Sequence, residues 1–229
     1  MGWDMYGLIA YRAAGAPPVR VIEGVPFRAV YAAEGATLRA ALSARAAARQ
    51  LRRAGVHLAV FPAGYPHRAV FARYGVGAPS AAPLYRACAP AIVRRCLVQR
   101  GVDPRGAVVV FAAEYVTPEL TRCVEALCAE VRYVVLAVPH GGDALAQTLR
   151  RRYGVAAPVV SPDTAPRAAL TVVFDETPAG GGALRLDETL RVTFNSPHPP
   201  EVLSLLWRAG ALDAAALEVK SVAPGDVDG

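Results

Sequence analysis

The sequence predicts an α/β fold, mainly parallel, with an N-terminal antiparallel β meander ahead of a βαβ core. Three observations predict it. Val108–Ala112, Tyr133–Val138 and Leu170–Phe174 are short continuous apolar runs, the pattern of strands buried on both faces. Segments of helical periodicity separate them with short connections, and such alternation requires parallel strands joined by right-handed crossovers. Finally, 54% hydrophobic against 19% charged residues gives a chain of 229 residues ample apolar surface for a packed core.

Taken in order, Gly7–Arg12, Val19–Glu23 and Phe27–Tyr31 read as three strands separated by Gly/Pro turns. Leu38–Ala54 is a helix with Thr37 as N-cap and Gly55 past its end. The strand Val56–Phe61 follows. Pro66 opens a short helix that stops at Gly75, Pro83 opens a second, and Pro90 kinks or restarts that one because it removes a backbone donor. Thr117, Pro118 and Glu119 give cap, first position and first-turn acid to a helix running to about Glu130. Asp143–Tyr153 is the next helix, stopped by Gly154, and Pro158–Val160 and a proline-rich loop lead to the third buried strand. Leu184–Leu186 and Leu190–Phe194 then read as a hairpin across residues 187–189. Pro200–Ala209 and Asp213–Val219 read as closing helices, and Ala223–Gly229 as a frayed tail. One domain is expected over 1–229: a meander (1–35), a helix-rich segment with one strand (36–106), the core (107–178), a hairpin with closing helices (179–222) and a tail.

The formal net charge is +6, and Lys220 is the sole lysine among 25 basic residues, so the excess is carried by arginine. The arginines are spread over several helices rather than gathered in a block. Their densest run, Arg150–Arg152, falls at a helix end, where cations offset the macrodipole. Nucleic acid is therefore not the expected partner. Cys88, Cys96, Cys123 and Cys128 form no CxxC pair and sit in apolar helical patterns, which predicts buried free thiols in a reducing compartment and no metal site. No run reaches the length of a membrane span and the N-terminus lacks a leader pattern, so a cytoplasmic protein without membrane contact is expected. Open strand edges in the meander leave room for a homo-oligomer.

Residues 107–178 resemble the nicotinamide-binding domain of the shikimate dehydrogenase and glutamyl-tRNA reductase type. Ala144-Leu145-Ala146-Gln147-Thr148-Leu149, leading to Tyr153-Gly154, is similar to the second helix of that group, and Phe174-Asp175-Glu176-Thr177-Pro178 to its strand ending near Thr-Pro. The resemblance implies a Rossmann-like three-layer sandwich and, in the family, NAD(P) binding. A dinucleotide needs glycines in the turn after the first strand. Here the turn reads Ala112-Ala113-Glu114-Tyr115-Val116-Thr117, with no glycine, and Glu114 puts negative charge where two phosphates would sit. Neither NAD(P) nor any other cofactor is expected.

Two strand-end turns keep glycine and histidine. His140-Gly141-Gly142-Asp143 leads straight into a helix N-terminus, a place suited to anions. Tyr65, His67 and Arg68 offer an aromatic wall, a titratable group and an anion clamp, and would meet the His140 turn if both strands ended at one sheet edge. Glu114, Tyr115 and Thr117 would join them from the degenerate turn. His57 and His198 read as structural or solvent-facing, and no GxSxG elbow, HExxH helix or Walker lysine is present. The reading that accounts for the lost glycines is a non-catalytic scaffold or partner-binding module derived from a dinucleotide-binding fold. The alternative is a small-anion or nucleotide-binding enzyme or sensor, using the turns at Gly64–Arg68 and His140–Asp143.

Overall fold

Tyr6–Tyr11 (β1) is a near-continuous apolar run interrupted by Gly7, and that glycine decides where the strand can lie. In the computed structural model, which describes residues 5–11, 19–180 and 182–224, a Cβ on Gly7 would stand 2.7 Å from the Ala59 Cβ and 3.1 Å from the Leu51 side chain. Only glycine lets β1 approach so closely. Val19–Ile22 (β2) and Val25–Ala32 (β3) form the antiparallel hairpin expected near the N-terminus. β1 departs from a simple meander: it lies parallel to β3 on one side and to Ala59–Val60 (β4) on the other, so the order is β2-β3-β1-β4. Between β3 and β4 runs Leu38–Arg53 (α1), whose Thr37 Oγ1 accepts the Ala40 N–H at 3.2 Å. Ala40, Ala44, Ala47, Ala48 and Leu51 form its buried stripe against Ile9, Val30 and Ala32. Arg68–Ala72 (α2) follows; it is shorter than the predicted helix, starting after Pro66 and His67 rather than at them.

Ala82–Ala87 (α3) and Ala89–Gln99 (α4) meet at Cys88, and Pro90 in the first turn of α4 restarts the helix there. Val108–Ala112 (β5), Pro118–Leu127 (α5), Tyr133–Ala137 (β6), Gly142–Tyr153 (α6) and Leu170–Val173 (β7) then alternate as predicted. Leu184–Arg185 (β8) adds to β7 in parallel, giving the order β6-β5-β7-β8. Val159 bridges Leu136 in parallel, so residues 158–160 extend the β6 side. With that segment the order is that of a doubly wound sheet, whose switch point falls between the first two strands laid on opposite sides, here β5 and β7. One face of this sheet, Val110, Ala112, Val135, Ala137 and Val173, is covered by Val160, Ala165, Ala168, Ala179 and Ala183, so loops form the layer there. Val109, Phe111, Leu136 and Val172, on the opposite face, are wholly buried, and α5 turns Leu120, Val124 and Leu127 inward.

Three expectations for the C-terminal part are corrected. Leu184–Leu186 does not form a hairpin with Leu190–Phe194 (β9). The Leu186 N–H bonds Val173 O at 2.9 Å, while Asp187 Oδ1 accepts the Thr189 N–H at 2.8 Å and turns the chain away. Pro200–Arg208 (α7) is helical as predicted. The stretch Asp213–Val219 is not: it holds a single 3-10 turn, Ala214–Ala216, before Val219–Pro224 (β10) pairs antiparallel with β9. Residues 219–222 and 223–224, partly assigned to a tail, are thus strand, and residues 225–229 lie outside the described part.

The chain divides into two compact units, Met1–Ser80 with His198–Asp213 and Ala81–Pro197 with Ala214–Gly229. The first carries the sheet β2-β3-β1-β4, and the second carries β6-β5-β7-β8 and the β9–β10 pair. Within the first, Ser204 Oγ donates to Ser80 O at 2.7 Å, tying the returning α7 to the end of the segment before it. Within the second, Arg94 holds Glu130 through two 2.7 Å hydrogen bonds and draws its carboxyl below the ordinary range. The pair is over two-fifths exposed, so its net worth is at most about 1 kcal/mol.

Replacing Gly7 by valine would drive methyl groups into Ala59 and Leu51. Overpacking of this kind costs about 1–3 kcal/mol. The Gly7→Val variant is expected to unfold at lower urea than the parent; an equal midpoint would mean that β4 yields without cost.

Candidate functional site

Open parallel sheets take ligands at the carboxyl ends of their strands, in the crevice at the switch point. In the second unit that crevice lies between the ends of β5 and β7. Several of the backbone donors near it are spoken for. Asp175, two residues past β7, accepts the Glu114 N–H through Oδ2 at 2.6 Å and the Thr177 N–H through Oδ1 at 2.9 Å. The Ala113 N–H goes to Ala137 O, and the Val116 N–H to His140 O. At the start of α5, Pro118 has no N–H, and Thr117 Oγ1 accepts the Leu120 N–H at 3.2 Å.

Burial pushes the Asp175 carboxyl up. The N–H groups of Glu114 and Thr177 and the charge of Arg86 oppose it, and the net displacement is downward. The carboxylate is thus held ionised beside the turn that follows β5.

Glu114, Tyr115 and His140 do come together. Tyr115 and His140 form a parallel bridge and their rings stack at 4.8 Å, 20° apart, while His140 Nε2 lies 3.2 Å from Glu114 Oε1. Both side chains are more than half exposed, so the contact orders the turn more than it stabilises it. Tyr115 is 60% exposed, a flat aromatic surface facing water. Gly141 and Gly142 have packing reasons for being glycine. Gly141 has φ +88° and a Cβ there would meet Val116 at 3.2 Å; a Cβ on Gly142 would meet Val159 at 3.1 Å. Asp143 lies in the first turn of α6, as expected of an acid there.

Tyr65, His67 and Arg68 belong to the first unit, at the end of β4, so the two predicted turns end strands of different sheets. Tyr65 is buried, packed on Tyr11, Phe61, Phe71 and His67 with ring centroids 5.8–6.1 Å away, and its hydroxyl has no hydrogen-bond partner. Burial, with Tyr11 nearby, pushes its ionisation upward. His67 Nε2 is 3.0 Å from Gly35 O, which joins the loop after β4 to the loop after β3. Arg68 lies over the Phe61 ring at 5.8 Å and lines a cleft of about 980 Å³ with Leu8, Ile22, Val60, Pro62 and Glu201. Sequence spacing missed this cleft because Ile22 and Glu201 are distant along the chain.

The four cysteines are buried and free, as predicted. Burial raises the thiols of Cys96, Cys123 and Cys128, which disfavours the thiolate that nucleophilic chemistry needs. Among the described residues no three His, Cys, Asp or Glu side chains stand together as a metal site. No described helix is long and apolar enough to cross a membrane.

No protein-family model and no curated protein matches the chain. Among solved structures it is similar to shikimate 5-dehydrogenase from Listeria monocytogenes, in complex with shikimate and NAD, at 10% identity over 75% of this chain and 68% of that one, with a TM-score of 0.28. L-tryptophan dehydrogenase from Nostoc punctiforme is 12% identical over 75% of this chain, which spans only 56% of that enzyme, with a TM-score of 0.33. Arylmalonate decarboxylase is 18% identical over 69% of this chain and 86% of that one, with a TM-score of 0.26. These are distant likenesses, and the Rossmann-like fold rests on the strand order and register of the chain itself.

A carboxyl whose folded-state pKa is depressed stabilises the fold above its unfolded value and loses that contribution as pH falls through the folded one. The parent is therefore expected to lose stability as pH drops below about 4, the ordinary carboxylate range. Asp175→Asn should be less stable at neutral pH, with a shallower acid limb in thermal melts across pH 2–7. Superimposable parent and variant curves would remove Asp175 from the closure of the crevice.

Proposed function

We propose that this chain is a non-catalytic, partner-binding module built on a Rossmann-like sheet whose cofactor crevice its own side chains have closed. The observation that carries this reading is the 2.6 Å hydrogen bond from the Glu114 N–H to the Asp175 carboxylate across the switch point. A dinucleotide would have to break that bond and bring phosphates against two carboxylates, Asp175 and Glu114. Like charges about 4 Å apart repel by roughly 4 kcal/mol near a protein surface, against affinities of about 8 kcal/mol for a micromolar ligand. The raised thiols and the packing roles of Gly141 and Gly142 support the same reading, since neither feature serves a reacting group.

The surface left at that edge is the Tyr115–His140 stack with Glu114 beside it. An exposed, oriented aromatic ring suits a protein contact, because tyrosine buries large area at low entropic cost. A second reading, a small-anion or nucleotide sensor, is favoured by the cleft beside Arg68, which joins an apolar floor to a cation.

Calorimetric titration separates the readings. NAD+ and NADP+ at millimolar concentration are expected to give no saturable heat with the parent; saturable binding of either at micromolar concentration would overturn the closed-crevice reading. Nucleotide binding that Arg68→Gln abolishes would establish the sensor reading instead.

The partner surface is tested by Tyr115→Ala, which is expected to melt with the parent because the ring is exposed. A partner retained by the parent on affinity resin should be lost with Tyr115→Ala. Equal retention by both proteins would move the partner surface away from this edge.

A further inference from the structure

A second polar recess lies elsewhere, on the flank of α1, and its walls are basic. Arg28, Arg49, Gln50 and Arg53 line a recess of about 470 Å³ together with Ala46 and Ala54. Ala46, Arg49, Gln50 and Arg53 follow the i, i+3, i+4, i+7 spacing of one helical stripe, so α1 presents them side by side. Arg28 arrives from β3, where it alternates with Val30 and Ala32 on the face that packs under α1. Its stem therefore starts in an apolar interior and its guanidinium reaches the recess.

Three facts bear on what this cluster can do. The Arg28 Nε is sealed from water and has no hydrogen-bond partner. A buried donor left unpaired costs about 1–3 kcal/mol, and folding retains such a group only where something offsets it. Arg28, Arg49 and Arg53 enter no ion pair among the described residues, and no carboxylate lines the recess. Arg49 is oriented by Tyr74, whose hydroxyl accepts its Nε–H at 3.2 Å and whose ring lies 5.8 Å below its guanidinium carbon. That leaves the terminal nitrogens of Arg49 free. Arg53 also sits in the last turn of α1, where a cation offsets the helix dipole. Arg28, on a strand, has no such reason to be charged.

We propose that this recess is an oxyanion site for a small ligand bearing a phosphate group. The guanidinium forks of Arg28, Arg49 and Arg53 supply charge-assisted, bidentate hydrogen bonds, and Gln50 supplies a neutral amide. The volume suits a small molecule, within the range of about 300–1,000 Å³ usual for ligand sites, rather than the length of a nucleic-acid strand. Occupancy brings a negative charge among three like charges that otherwise repel one another, so the ligand is expected to stabilise the first unit.

The test titrates inorganic phosphate and pyrophosphate into the full chain by calorimetry, with thermal melts alongside. The parent is expected to bind pyrophosphate saturably and to melt higher in its presence. Arg53→Gln and Arg28→Met should each weaken binding by about tenfold or more, the loss of one charge-assisted hydrogen bond. Arg68→Gln, in the other cleft, should leave it unchanged. Arg28→Met keeps the apolar stem and removes the unpaired Nε, so it should also melt at or above the unliganded parent; if it fails to fold, Arg53→Gln carries the test. Absence of saturable binding to the folded parent would overturn the proposal. So would binding that survives both substitutions, binding lost only with Arg68→Gln, or retention of an oligonucleotide alone with steep salt dependence.

Discussion

At the switch point of the second sheet, one carboxylate, Asp175, ties the ends of two parallel strands together. β5 lies between parallel neighbours on both sides and is buried on both faces, so the ends of β5 and β7 are held at sheet spacing. That spacing brings Asp175 within bonding distance of the Glu114 N–H. Once the bond is made, the Glu114 turn is fixed, Val116 bonds His140, and Tyr115 stacks on the imidazole. The edge is thus tied on both sides of β5, to Asp175 beyond β7 and to His140 beyond β6.

The two turns differ in what presses on them. After β5, Glu114 and Tyr115 stand in a turn whose Glu114 N–H is bonded to Asp175. After β6, Val116 and Val159 press on positions 141 and 142, and side chains there would collide. Glycines that look in sequence like an invitation to an anion are needed to pack two valines.

The first unit is governed by a different constraint, the close approach of β1 to β4 at Gly7. It places β1 centrally, under α1, and carries Arg28 of β3 beneath the same helix. Alanines at 40, 44, 47 and 48 let α1 sit close to the sheet, and its flank is left to arginine. In the two units the polar chemistry accordingly has opposite sign: a retained carboxylate at one sheet edge, unpaired guanidinium groups beside the helix of the other.

Local signals were enough to read α1 from Thr37 and its alanine stripe, α5 from Thr117 and Pro118, α6 from Gly154, and the three apolar strands of the parallel core. They also gave the burial of the cysteines and the role of Asp143. They failed where pairing is non-local. Leu184–Leu186 and Leu190–Phe194 looked like hairpin partners because they are neighbours in the chain, yet one joins β7 and the other β10. Leu217-Glu218-Val219-Lys220 alternates with the period of a strand, a signal that a helix reading overlooked. The candidate residues divide in the same way. Glu114, Tyr115 and His140 were named from strand ends, and they do meet, because β5 and β6 are adjacent and in register. Asp175 carries no local signal beyond its place after an apolar strand, and nothing local marks Arg28 or Arg53. By itself the sequence determined the elements of the parallel core, their order and the absence of glycine from the turn after β5, since caps, periodicity and turn residues act over a few residues. Tertiary structure alone decided which carboxylate meets the turn after β5 and which arginines converge, since folding brings together residues 61 apart for Glu114 and Asp175 and from separate elements for Arg28 and Arg53.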